Sequence, residues 1–267
     1  MKSSKTEIMQ ADWHKRCPPE IVNLGNRDSF CLYIAREFLH LGVAVQKRHG
    51  YFRVIFGGGR TPVAVNTRIV EMAPESEFDW KRVIVFFSDE RCVAPDNPDS
   101  NYNMIFRTFV MPLGIPDNHV YRIEGELGPE EAARRYQLNL SQAFGNENVP
   151  TFDLALLGMG PDGHTASLFP HNSALGEKSR WAVPAGKGPE GLDRITLTYP
   201  VLNAAKNVWF MISGPEKRNA VTNLLHGPLD PEKWPAQGIS PVNGKLVYVF
   251  GEGLEAMGDG SWVMGDR

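Results

Sequence analysis

The run Gly158-Met159-Gly160-Pro161-Asp162-Gly163-His164 places a histidine on a glycine-bounded turn, with a carboxylate two residues before it. A histidine beside a carboxylate can take up and return a proton near neutral pH, so His164 with Asp162 is the candidate general base. The other six histidines have no such setting and read as structural or surface residues. No Gly-x-Ser-x-Gly nucleophile turn is present and Ser167 lacks one, so attack by a base-activated water fits better than an acyl-enzyme. No His-Glu-x-x-His or Cys-x-x-Cys spacing occurs, and neither a metal site nor a cofactor is expected.

A second group of residues is suited to anions. Gly57-Gly58-Gly59-Arg60-Thr61-Pro62 lies between an apolar strand-like run and a helix-like run. Glycines admit close backbone approach, and the N–H groups opening a helix attract phosphate, so Gly58, Gly59, Arg60 and Thr61 form a candidate cradle. A tight turn alone would also use these glycines. The loop lacks the Gly-Lys-Ser/Thr ending of a nucleoside-triphosphate loop, which favours a sugar phosphate. Arg91, Arg194 and Lys217 follow or end predicted strands, and arginine forks and lysine ammonium groups both bind phosphate. Asp89 and Glu90 stand beside Arg91, with a structural ion pair as their alternative role. Gly158 to Gly163 also fits G-x-G-x-x-G, but Asp162 would oppose a pyrophosphate and no acid-ended strand follows about 20 residues on. A dinucleotide is therefore not expected.

These residues need elements to bring them together. Phe30, Ile34, Phe38, Leu41 and Val45 step at helical spacing, which predicts a helix from a cap at Asp28 or Ser29 to about His49. Strands are predicted at 51–56, 83–87, 120–123, 153–157, 194–198, 208–212 and 246–250. Helices are predicted after Thr61-Pro62, over 100–111, from Gly128-Pro129 to Phe144, and up to about Leu225. Alternating strands and helices with continuous apolar strands give an α/β fold, a modified doubly wound, mostly parallel sheet with helices on both faces. Four polar clusters follow four of the strands: 57–62, 89–91, 158–164 and 213–217. In such sheets ligands bind outside the carboxyl ends of the strands.

The chain has 267 residues, 42% hydrophobic and 22% charged, with net charge −3. Residues 1–27 read as a partly ordered polar segment and 28–267 as one α/β domain. The charge balance gives no support to a nucleic-acid partner, and no apolar run is long enough to span a membrane. Cys17, Cys31 and Cys92 form neither a disulfide framework nor a zinc set, and a cytoplasmic protein is expected, as a monomer or small homo-oligomer.

Five segments spanning roughly residues 30–225 resemble the 6-phosphogluconolactonases, within the superfamily of glucosamine/galactosamine-6-phosphate isomerases. They are GGGRTP (57–62), SDERCVAPDNPDSNYNM (88–104), LLGMGPDGHTASLFP (156–170), RITLTYPVLNAAKNV (194–208) and SGPEKRNAV (213–221). The resemblance implies hydrolysis of a small-molecule sugar-phosphate lactone, 6-phospho-D-glucono-1,5-lactone, without metal or cofactor. It implies His164 as base for the attacking water, with Gly58 to Thr61, Asp89, Arg91, Asn101, Arg194 and Lys217 around the substrate. Gly57 stands where relatives often carry serine. The related deaminases of glucosamine 6-phosphate typically read DGHIAFNEP, with an acid after the turn, whereas His164 is followed by Thr165-Ala166-Ser167-Leu168-Phe169-Pro170. A non-catalytic sugar-phosphate binder would need the cations but not His164.

Overall fold

Val83-Ile84-Val85-Phe86-Phe87 and Leu154-Ala155-Leu156-Leu157 offer no polar face to water, and the computed structural model makes them inner strands of a sheet covered on both sides. The structure describes residues 18–145 and 149–254. In chain order the strands and α-helices are β1 (Glu20–Asn23), α1 (Arg27–His49), β2 (Phe52–Phe56), α2 (Arg60–Met72), β3 (Val83–Phe87), β4 (Asp89–Arg91), α3 (Asn101–Ile105), β5 (Val120–Tyr121), α4 (Pro129–Phe144), β6 (Leu154–Leu157), β7 (Ala182–Lys187), β8 (Asp193–Leu197), α5 (Tyr199–Leu202), β9 (Asn207–Ile212), α6 (Arg218–His226) and β10 (Lys245–Phe250).

Seven strands pair in the order β1-β10-β9-β6-β2-β3-β5, and every pairing is parallel. This is the expected α/β class. The chain builds outward from β2 to β3 and β5 on one side, then returns to add β6, β9 and β10 on the other. The reversal lies between β2 and β6. Their last rung is the bond from Gly57 N–H to Leu156 O at 2.9 Å, beyond which the two chains part. That divergence opens a crevice at the carboxyl edge.

The structure corrects four local expectations. Asp89–Arg91, expected as a polar cluster beyond a strand end, is itself strand β4, and β7 has no counterpart among the predicted strands. Together with β8 they form a second, antiparallel sheet in the order β4-β8-β7. The polar Asp-Glu-Arg triplet and the Pro184- and Gly186-containing β7 lack the apolar alternation that marks strands. The cap of α1 is Asn26, whose Oδ1 accepts the Ser29 N–H at 2.8 Å, so Asp28 falls inside the first turn. The helix expected over 100–111 is α-helical only for Asn101–Ile105 and then widens to a π-helical turn over Phe106–Val110. Within the 1–27 segment, Glu20–Asn23 adds a parallel edge strand to β10; Cys17 and the rest of that segment before Pro18 lie outside the described residues.

The end of β3 is fixed from the helix side. The Tyr136 hydroxyl on α4, fully buried, donates to Phe87 O at 3.0 Å and accepts the Phe87 N–H at 2.9 Å. It satisfies both backbone groups of the residue preceding Ser88 and Asp89. Tyr136→Phe leaves that buried pair without its partner, and urea unfolding should show a loss of about 1–3 kcal/mol.

Candidate active site

The loops after β2, β6 and β9, together with β4 and β8, surround a cleft of about 350 Å³ at the carboxyl edge of the parallel sheet. Of the residues singled out from the sequence, Gly58, Gly59, Arg60, Thr61, Asp89, Arg91, Asn101, His164, Arg194 and Lys217 all line it. Asp162 reaches the cleft through His164.

The loop after β6 folds back on itself. Gly160 N–H donates to His164 O at 2.9 Å, Gly163 N–H to Gly160 O at 3.0 Å, and Thr165 Oγ1 to Gly158 O at 2.8 Å. Gly163 takes φ +81°, which a side chain would strain. The closed turn sets His164 Nδ1 2.6 Å from Asp162 Oδ1 and packs the imidazole against Phe169, with ring centroids 4.8 Å apart. Partial burial pushes the Asp162 carboxyl up, but the hydrogen bond and charge of His164 pull harder, and the net direction is downward. An ionised carboxylate only accepts, so Nδ1 carries the proton and Nε2 is left as the basic nitrogen.

Beyond Gly59 the helix α2 begins with no side-chain cap and no acid in its first turn. Its opening N–H groups and positive dipole end are therefore available to an anion. Lys217 closes the 3-10 turn Pro215–Lys217 after β9. Burial pulls its amine below the ordinary lysine value of 10.5; Glu216 pushes the other way and nearby Arg60 adds to the drop. Lys217 directly precedes α6, at its N-cap position.

A network of buried carboxylates holds the opposite wall. Asp89 Oδ1 accepts from Ser88 Oγ at 2.8 Å, and Oδ2 accepts from Ser167 Oγ at 2.7 Å and lies 3.6 Å from Arg194 Nη1. Ser167 follows Ala166, a non-glycine residue at φ +49° in the cleft lining, so this bond helps hold a strained turn. The alternative role for Glu90 in the sequence is a structural ion pair. Glu90 is buried and accepts the N–H groups of Arg91, Asn101 and Tyr102 at 2.7–2.8 Å and the Ser100 hydroxyl at 3.0 Å. It is thereby the anchor for the start of α3. Burial pushes the Glu90 carboxyl up, against the pull of the three backbone N–H groups. Asn101 donates its amide to Asp89 O at 2.9 Å, and its buried Oδ1 has no hydrogen-bond partner. Gly58 has no room for a side chain, since a Cβ there would come within 2.0 Å of that oxygen. Burial raises the Cys92 thiol to about 11, which keeps it protonated and unreactive at neutral pH. Among the described residues no cluster of three or more His, Cys, Asp or Glu side chains is arranged to hold a metal ion.

Comparison with known proteins adds to this geometry. The family model described as Glucosamine-6-phosphate isomerases/6-phosphogluconolactonase matches residues 25–248. The chain belongs to that family. It is 34% identical to the 6-phosphogluconolactonase of Homo sapiens over 230 residues, covering 86% of this chain and 84% of that one. It is 37% identical to the enzyme of that name from Rattus norvegicus over 198 residues, covering 73% and 76%. The solved 6-phosphogluconolactonase of Thermotoga maritima matches with a TM-score of 0.75 at 29% identity, over 87% of this chain and 99% of that one. No helix among the described residues is long and apolar enough to cross a membrane.

Gly160 tests how the family turn is built. A Cβ at this position would come within 2.2 Å of the His164 ring and 2.7 Å of Asp162 Oδ1. Gly160→Ala should therefore displace the imidazole from its carboxylate with little loss of stability. The measurement is the ring-nitrogen chemical shifts of His164 by NMR, in which the variant should lose the fixed proton on Nδ1.

Proposed function

We propose that the chain hydrolyses 6-phospho-D-glucono-1,5-lactone to 6-phospho-D-gluconate, as in the oxidative pentose phosphate pathway. The observation that carries this reading is a histidine–carboxylate pair at 2.6 Å facing a cleft lined by Arg60, Arg91, Arg194 and Lys217. In this mechanism the substrate phosphate is held by Arg91, Arg194, Lys217 and the Gly58–Thr61 loop. Asp162 keeps the proton on His164 Nδ1, and Nε2 removes a proton from the water attacking the C1 carbonyl. Cleft N–H groups and cations stabilise the oxyanion. The imidazolium then gives its proton to the ring oxygen as the C1–O bond breaks, leaving a free hydroxyl and a carboxylic acid, which releases its proton to water as the carboxylate product. Asp89 and Asn101 support the wall that carries Arg91 and Arg194. A cytoplasmic location belongs to the same reading.

The test follows freshly made lactone with product coupled to a 6-phosphogluconate dehydrogenase, corrected for spontaneous hydrolysis. His164→Ala should lower kcat by roughly 10²- to 10⁴-fold with the fold retained, the usual worth of a positioned base. Turnover by the wild type no faster than the blank rejects the reaction, and glucosamine 6-phosphate becomes the next substrate to try.

Lys217 gives a pH dependence of defined sign. Its depressed pKa means that the ammonium charge is lost, as pH rises, before an ordinary lysine at 10.5 would lose it. Affinity for inorganic phosphate, measured by calorimetry, should therefore fall with rising pH on the acid side of that value. Lys217→Met should bind phosphate more weakly and lose that portion of the dependence.

A further inference from the structure

One carboxylate beside the cleft has no part in the mechanism above. Glu190 sits on the turn joining β7 to β8 and is not part of the cleft lining. Its Oε1 accepts from Arg194 Nη2 and lies 3.7 Å from Arg91 Nε. The two arginines are direct register partners across β4 and β8, so two like charges are set side by side at the rim of the cleft. Such a pair repels unless a counter-charge bridges it. Arg194 is only 5% exposed and is held between two carboxylates, buried Asp89 off Nη1 and Glu190 at Nη2.

The turn is shaped for this contact. Gly188 N–H donates to Leu192 O and Gly191 N–H to Gly188 O, each at 2.9 Å, with Gly191 at φ +81°. A Cβ on Gly188 would stand 2.7 Å from Arg194 Nε and 2.8 Å from Glu190 Oε2, so the turn backbone lies directly against the ion pair. The β7–β8 register shifts between Pro184 and Lys187, and such an irregularity re-aims the end of a hairpin. Both Nε atoms are buried without a hydrogen-bond partner. Arg91 is also held from its far side, where Nη1 donates to Asp99 O at 2.5 Å. Glu190 is the carboxylate that reaches both guanidinium groups, by a hydrogen bond from Arg194 Nη2 and by charge at Arg91 Nε.

We infer that Glu190 is a positioning residue that bridges Arg91 and Arg194 and fixes both forks for an anion in the cleft. Anion affinity then depends on an exposed turn outside the cleft. The inference rests on the proposed function for the identity of the anion, but it requires only that the cleft binds one. Removing a carboxylate would by simple charge counting strengthen anion binding; a positioning role has the opposite sign.

The experiment measures inorganic phosphate binding by calorimetry and lactone kinetics for wild type, Glu190→Ala and Glu190→Gln. Glu190→Ala should raise the phosphate Kd and the lactone KM together by about fivefold to tenfold, with kcat within about threefold of wild type. Glu190→Gln keeps an acceptor for Arg194 and should recover part of the affinity; it also carries the test if the alanine variant fails to fold. An unchanged Kd overturns the inference. A tightened Kd also overturns it and makes Glu190 a competing anion. A wild type that binds phosphate but does not hydrolyse the lactone defeats the proposed reaction alone, and the phosphate Kd series still decides the role of Glu190.

Discussion

The site depends on one buried carboxylate. Asp89 is 4% exposed, and an ionised group so placed is costly unless its oxygens are matched by donors. Its donors come from separate parts of the chain: Ser88 at the end of the parallel sheet, Ser167 from the turn after His164, and the Arg194 guanidinium from the antiparallel sheet. Satisfying Asp89 therefore ties the His164 loop to the wall that carries Arg91 and Arg194. The strained Ala166 is held between the two, and its cost is borne because the alternative is an unpaired charge in the interior.

A second constraint is backbone satisfaction at the point where one sheet gives way to another. After Phe87 the chain leaves the parallel sheet, and the next residues must find new partners. Ser88 O accepts the Leu197 N–H at 2.7 Å, and β4 then runs antiparallel to β8. Arg91 and Arg194 thus meet because two strands share a register, although they stand 103 positions apart in the sequence. Glu90, pointing to the other side of the same strand, gathers the Asn101 and Tyr102 N–H groups and the Ser100 hydroxyl at the start of α3 and so fixes Asn101. Alternate residues of one short strand thus serve two different walls.

The sequence was most legible where burial leaves a periodic trace. The continuous runs of β2, β3, β6, β9 and β10, and the four-residue steps of α1, exist because those faces meet no water. The Asp162–His164 turn and the glycine loop were legible because their geometry restricts residue type. What escaped was held by polar bonds over long separations. β4 is a strand because β8 pairs with it, and β7 because β8 pairs with it on the other side; neither has a local apolar pattern. Ser167 reads as an unremarkable hydroxyl until Asp89, 78 positions away, is placed beside it. Glu190 reads as a charge in a glycine turn, and only the strand register puts two arginines against it.

The edge strand β1 has a consequence for how the molecule is made. Glu20 pairs with Val247 and Asn23 with Phe250, so a segment made early must wait for one made more than two hundred residues later. β10 itself docks on β9, which leaves β1 nothing to join until β10 is in place. During synthesis the half of the sheet that carries the glycine loop and the His164 turn can assemble first, through β2, β3 and β6. The β10 edge stays open until β1 returns to cover it, and an open strand edge invites pairing with other chains. A nascent chain stalled before this closure would have a nearly complete cleft and an unprotected flank, the state in which a folding helper has most to shield.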